Sequence, residues 1–223
     1  MGRFLSASHR GEKGGSDDSW TKPLTKGENV HPGKEASTPG ENVGRSVMLY
    51  ALCGRSRVGK TTIQNRLLQR QPLLERLVTT TTRPRRPEEI NHVDYHFVTE
   101  HHFHSEVQSG QIVCPICYRG QWYGTARADL ATCARKEVVG VLRPDKLLAL
   151  QAYTPLLGIA LIRPVEANQT ISPDDLIIVA HHHRCRYHVV NVSGELEQTV
   201  EQVLGIIHAH TGDQLWKQTR LPA

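Results

Sequence analysis

One segment limits what this chain can fold into more than any other. Gly54-Arg55-Ser56-Arg57-Val58-Gly59-Lys60-Thr61 fits the pattern G-x-x-x-x-G-K-[ST], which has a mechanical meaning only between a strand and a helix. The flanks supply both. Residues 46–53 form an apolar run that reads as a buried strand, and residues 61–70 carry Ile63, Leu67 and Leu68 at helical spacing. In such a loop the glycines let backbone N–H groups turn inward around phosphates, the lysine reaches the β- and γ-phosphates, and the last hydroxyl joins a Mg²⁺ shell. Gly54, Arg55, Ser56, Arg57, Val58, Gly59, Lys60, Thr61 and Thr62 are therefore expected to hold ATP, with Thr61 on Mg²⁺.

Beyond this unit, strands are expected at 94–98, 111–116, 121–123, 137–142, 156–162 and 187–192. Helices are expected at 100–108, 126–134, 145–152, 173–183 and 195–210, the last with Ser193 available as a cap. Alternating strands and helices imply an α/β fold with a mainly parallel sheet flanked by helices. Residues 94–123 break the rhythm: two short strands meet at Arg119-Gly120, as expected for a small antiparallel insert.

Residues 1–45 are poor in apolar side chains and carry seven Lys/Arg against six Asp/Glu, a composition that cannot offset backbone ordering by burial. They are expected to be a disordered tail, with one domain at 46–212 and a short C-terminal tail at 213–223. The net charge of +5 suits acidic ligands such as phosphates and disfavours a charge-driven nucleic-acid binder. The longest apolar stretches fall far short of the roughly 18–20 residues that span a bilayer. Five scattered cysteines fit a reducing compartment, the cytoplasm. Met1-Gly2-Arg3-Phe4-Leu5-Ser6 also fits the loose myristoylation pattern.

Three further blocks go together: Thr79-Thr80-Thr81-Thr82-Arg83-Pro84-Arg85-Arg86-Pro87, then Val93-Asp94-Tyr95-His96-Phe97-Val98, then Gln121-Trp122-Tyr123-Gly124-Thr125. In order and spacing they resemble the guanylate kinase family. The resemblance implies a P-loop kinase fold with a monophosphate-binding insert and a lid, here shortened, and transfer of the γ-phosphoryl of ATP to a nucleoside monophosphate, GMP. It implies catalytic roles for Lys60, Arg83 and Arg86. It also implies an acceptor site of Thr79, Arg83, Arg86, Tyr95, Tyr123 and Thr125. The residue types agree, since two arginines offer forked donors to a phosphate dianion and tyrosine hydroxyls add neutral ones.

The chain departs from the family pattern at several places. Cys114 stands where a Glu reads the guanine edge, and a thiol cannot accept two strong hydrogen bonds as a carboxylate does. An Asp-x-Asp expected at the end of the strand near 138–143 is missing, with Asp145 two residues further on. Arg184 and Arg186 are the remaining candidates for lid cations, and His181-His182-His183 cannot all face one ligand. Cys114-Pro115-Ile116-Cys117 has zinc-like spacing without a specific partner pair. The phosphotransferase reading therefore stands beside a second, a degenerate kinase-like module that binds a phosphorylated partner. A nucleotide-driven ATPase or a sugar-phosphate kinase of related fold is a third.

Overall fold

The computed structural model describes residues 47–164, 170–192 and 194–211. The expected tails at 1–45 and 213–223 and the Ser193 cap lie outside the described residues.

The apolar run does what its composition requires. Strand β1 (Leu49–Cys53) is buried at every position, which suits the centre of a parallel sheet covered on both faces. Its side chains alternate: Tyr50 and Leu52 face helices α1 (Lys60–Arg70) and α6 (Leu196–His210), meeting Ile63, Leu67, Val200, Val203 and Ile207. Leu49, Ala51 and Cys53 face the other way, toward Leu130, Cys133, Leu147, Leu150 and Cys185. Around β1 stand β2 (Glu75–Arg76), β7 (Val138–Val141), β8 (Leu156–Ile162) and β9 (Tyr187–Val190), in the order β2-β7-β1-β8-β9. Every neighbouring pair in this sheet is parallel.

A second sheet has the order β4-β3-β6-β5, from β3 (Thr79–Thr81), β4 (Tyr95–Phe97), β5 (Ile112–Tyr118) and β6 (Gln121–Ala126). The two antiparallel strands expected to meet at Arg119-Gly120 are β5 and β6, and the sheet they belong to is mixed. β6 is antiparallel to both β3 and β5, but β3 and β4 are parallel, because the chain loops through residues 82–94 before returning in the same direction. Helix α2 (Glu100–Gln108), capped by Thr99 Oγ1 accepting from His102 N, buries Phe103 beneath this sheet. α3 (Arg127–Thr132) and α4 (Leu147–Leu150) are each shorter than their patterns suggested.

Between β8 and β9 lies α5 (Pro173–Ala180), started by Pro173 after a Ser172 cap that accepts from Asp175 N. The pattern runs to 183, but α5 stops at Ala180 and a 3₁₀ turn, His182–Arg184, follows. His181 and His183 donate from Nδ1 to the carbonyls of Ile177 and Ala180, which turns these side chains back on their own segment. α6 begins after Glu195 without a side-chain cap.

Candidate functional site

The Gly54–Thr61 loop is formed and braced from outside itself. Gly54 has φ +149°, and a Cβ there would sit 2.6 Å from the Leu161 carbonyl oxygen of β8. Gly59, at φ +94°, would bring a Cβ to 2.8 Å from Asn191 Nδ2. Only glycine meets both demands. Asn191 donates to the Val58 carbonyl (2.7 Å), and Thr199 of α6 donates to Asn191 Oδ1 (3.2 Å). Lys60 is half-buried at the start of α1, its Nζ donating to the carbonyls of Gly54 (2.8 Å) and Arg55 (2.7 Å). Burial pulls its pKa down to about 8, against the opposing pull of Cys53 and Asp175.

Asp175 of α5 was not anticipated from the sequence. Its Oδ1 accepts from the Ser56 backbone N–H (3.0 Å), and its Oδ2 accepts from Ser172 Oγ (3.0 Å) and lies 3.7 Å from Arg119. Burial alone would raise this carboxyl, yet the Ser56 N–H, Ser172, Arg119 and Lys60 hold it below the usual range. A carboxylate thus sits on a backbone donor of a loop built for anions.

The loop shares a cavity of about 280 Å³ with the second sheet. Its wall includes Gly54, Ser56, Arg57, Lys60 and Thr61 from the loop, and Thr79, Arg86, Tyr95, Tyr123 and Thr125 from the expected acceptor set. Arg83 is not on it. It borders an adjoining cavity of about 480 Å³, which Ser56, Thr61, Thr79, Arg86, Tyr95 and Tyr123 also line. Arg55, Val58, Gly59 and Thr62 line neither.

The two arginines expected on the acceptor are therefore held differently. Arg83 donates to Glu89 Oε1 (2.7 Å) and to the Pro84 carbonyl (2.8 Å), with its guanidinium 5.4 Å from the Tyr95 ring centroid. Glu89 also accepts from Arg86 N (2.9 Å). Although burial opposes it, this pairing holds the Glu89 carboxyl below its ordinary range. The Arg86 guanidinium, by contrast, makes no hydrogen bond or ion pair among the described residues and borders both cavities. Tyr95 and Tyr123 meet edge to face at 6.3 Å, and burial, then Tyr123, keeps the Tyr95 phenol protonated and able to donate.

The far wall carries the departures. Cys114 lines the cavity at φ +52°, where the register of β5 slips against β6 between Val113 and Ile116. β7 ends at Val141, one residue early, so Arg143 and Asp145 follow the strand end. Asp145 is not a free carboxylate: Arg143 donates to both its oxygens (2.9 and 3.3 Å). Arg143 and Lys146 line the cavity. The expected lid cations are elsewhere, with Arg184 donating to the Asp145 carbonyl (2.9 Å) and Arg186 lying 5.9 Å from the Tyr187 ring centroid.

A parallel sheet with a glycine-turned phosphate loop at the strand-to-helix junction defines a P-loop kinase fold. Structural comparison agrees, since the crystal structure of guanylate kinase from Anaplasma phagocytophilum superposes with a TM-score of 0.60 at 20% identity, over 76% of this chain and 88% of that one. The guanylate kinase family model matches residues 46–150, from the start of β1 to the end of α4. Guanylate kinase from a Nostoc species is 42% identical over 103 residues, covering 46% of this chain and 48% of that protein. The Chlamydia felis enzyme is 30% identical over 119 residues, 52% and 58% of the two chains. The Thermosynechococcus vestitus enzyme is 42% identical over 82 residues, 37% and 43%. On these matches residues 46–150 are similar to guanylate kinases, and the fold is theirs. It spans about half the length of the curated relatives it matches.

Proposed function

We propose that this protein is an ATP-dependent phosphotransferase of the guanylate kinase type, moving the γ-phosphoryl of ATP onto the phosphate of a small acceptor. GMP is the acceptor implied by the family. The observation that carries the reading is that the phosphate loop and Arg86, Tyr95 and Tyr123 wall one cavity, so donor and acceptor phosphates would meet there. An acceptor phosphate oxygen attacks the γ-phosphorus as the bond to the β–γ bridging oxygen breaks, leaving ADP. Positioning and charge neutralisation supply most of the acceleration in such transfers.

Lys60 donates to the β- and γ-phosphate oxygens, and the N–H groups around Ser56–Gly59 receive the remaining charge. Arg86 supplies a forked donor to the acceptor phosphate, with the Tyr95 and Tyr123 hydroxyls beside it and Thr79 and Thr125 further along. Arg83 acts by setting the loop that presents Arg86, since Glu89 bonds to both. Among the described residues no group of three His, Cys, Asp or Glu side chains is placed to hold a metal. That suits Mg²⁺, which is commonly held by substrate phosphates, waters and few protein oxygens; the Thr61 hydroxyl lines the cavity for this purpose. Bound Mg²⁺ would neutralise phosphate charge during transfer. The catalytic domain in this reading is 46–212. No described helix is long and apolar enough to cross a membrane, and ATP as donor fits a cytoplasmic setting.

The test is ADP release from ATP·Mg²⁺ with each nucleoside monophosphate and with small phosphate esters such as fructose 1,6-bisphosphate and 3-phosphoglycerate, beside a Lys60→Ala control. Lys60-dependent turnover is expected. Binding of a phosphopeptide with no turnover on any acceptor would replace the enzyme with the binding-module alternative.

A further inference from the structure

Among the described residues, five cationic side chains and no carboxylate line the 280 Å³ cavity. Two of these cations have a use in the proposed transfer, Lys60 at the loop and Arg86 at the acceptor phosphate, and a third, Arg57, belongs to the phosphate loop itself. The other two, Arg143 and Lys146, lie on the far wall with Cys114, which stands where the family pattern has a guanine-reading Glu.

The two are not equivalent. Arg143 is held in a two-point pair by Asp145, which offsets its charge. The Lys146 ammonium makes no hydrogen bond or ion pair among the described residues, and its side chain is half-buried beside the Cys114 thiol. A cation partly withdrawn from water and left unpaired gains most from an anionic partner that reaches it. Guanine's N1 and N2 N–H donors would meet ammonium, guanidinium and thiol groups, none of them a strong acceptor, while its O6 and N7 are neutral acceptors that leave the ammonium without a counter-charge. Ile116, Leu142 and Leu150 on this wall add no acceptor, and Tyr118, its ring 5.3 Å from the Arg143 guanidinium, adds a neutral hydroxyl and no carboxylate.

We propose that the acceptor is a small phosphate ester bearing a second oxyanion, a sugar bisphosphate or a phosphocarboxylate, and that Lys146 is the specificity determinant for that second charge. The inference rests on the reading that Arg86 receives the acceptor's phosphate. One phosphate lies on Arg86, Tyr95 and Tyr123, while the distal anion pairs with Lys146 and takes the remaining N–H donors of Arg143. A ligand with a single phosphate leaves Lys146 unpaired, and specificity of this kind comes from the cost of an unsatisfied partner.

The experiment measures binding by calorimetry to the full chain, with the donor site filled by a non-hydrolysable ATP analogue and Mg²⁺ so that the probes cannot occupy the phosphate loop. The probes are fructose 1,6-bisphosphate, 3-phosphoglycerate, fructose 6-phosphate and GMP. Either doubly anionic probe should bind at least about tenfold more tightly than fructose 6-phosphate and GMP, a difference of about 1.4 kcal/mol. Which of the two binds better separates a distal phosphate from a distal carboxylate. Lys146→Met keeps the stem and removes the charge, and should erase that preference while leaving fructose 6-phosphate within about twofold. GMP as the tightest probe, no binding by either doubly charged probe, or equal weakening of all probes in Lys146→Met would each overturn the proposal. Because the readout is binding, a preference that persists without Lys60-dependent ADP release would sink the transferase reading and leave this one standing.

Discussion

Asp175 and Asn191, both from outside the phosphate loop, bond to its backbone, whereas the far wall of the same cavity leaves Lys146 with no partner among the described residues. At the first end, the sequence pattern of the family and the geometry agree down to the glycines whose Cβ atoms would collide with Leu161 and Asn191. At the second, the wall presents a thiol and two cations, Cys114, Arg143 and Lys146, and among the described residues no carboxylate. On the proposed reading, the contrast separates two tasks within one site. Handling phosphates needs backbone donors and fixed cations, while choosing the acceptor depends on a few side chains that can change without disturbing the loop.

The largest effect should come at the loop. Lys60→Ala is expected to lower kcat on the order of 10²–10³-fold, as for loss of one preorganised donor to developing charge, with an unchanged thermal midpoint excluding a folding defect. A loss under tenfold would break the idea that the braced end carries the chemistry. Next, Arg86→Ala should raise the acceptor KM about 10–100-fold, in keeping with a hydrogen bond between charged groups of roughly 1.5–3 kcal/mol. Glu89→Gln should act in the same direction but less, because it loosens the loop without removing a donor to phosphate; steady-state kinetics on the two variants ranks them.

The pH response sharpens the contrast further. With the folded pKa of Lys60 pulled down to about 8 from 10.5, the cost of its buried charge is fully present below pH 8 and is relieved as pH rises from 8 toward 10.5, where the unfolded chain holds more protons. Stability should therefore gain a favourable contribution from this group over that window. ATP affinity should move the other way, falling as pH rises through about 8, because only the ammonium pairs with phosphate. Calorimetry in buffers of different ionisation enthalpy should show proton uptake on ATP binding near pH 8. The smallest effect is expected from Asp175→Asn, which removes a negative charge from the Ser56 N–H and should tighten ATP binding a few-fold, in line with about 1 kcal/mol for a partly screened charge. Weaker binding would show that the carboxylate supports the loop rather than competing for it.

The sequence carried the parts whose signals are local. The apolar run of β1, the helix at Glu100–Gln108 and the strand at Leu156–Ile162 fall where periodicity puts them, and the glycine-lysine loop is formed where its motif stands. β3 was not visible, because Thr79-Thr80-Thr81 has no apolar alternation. It is tied into the sheet partly by polar bonds such as Thr81 Oγ1 donating to the Trp122 carbonyl (2.9 Å). The split between Arg83 and Arg86 was also hidden, since it depends on which way Glu89 turns. Asp175 could be read as a helix-start residue after Ser172, but its second role needs Ser56, 119 positions away in the chain. Arg143 was legible only as the end of a strand lacking an acidic pair and Lys146 carried no signal, and their place on the cavity wall emerged from where β7 ends.

The phosphate loop has one more implication. The family model ends at residue 150, yet the atoms that shape the loop come from Leu161, Asp175, Asn191 and Thr199, all beyond that limit. The eight residues that spell the motif are therefore not a transplantable cassette. Their curvature is on loan from the part of the chain that lies beyond the family match, so substitutions there can reshape the loop while every letter of the motif stays the same.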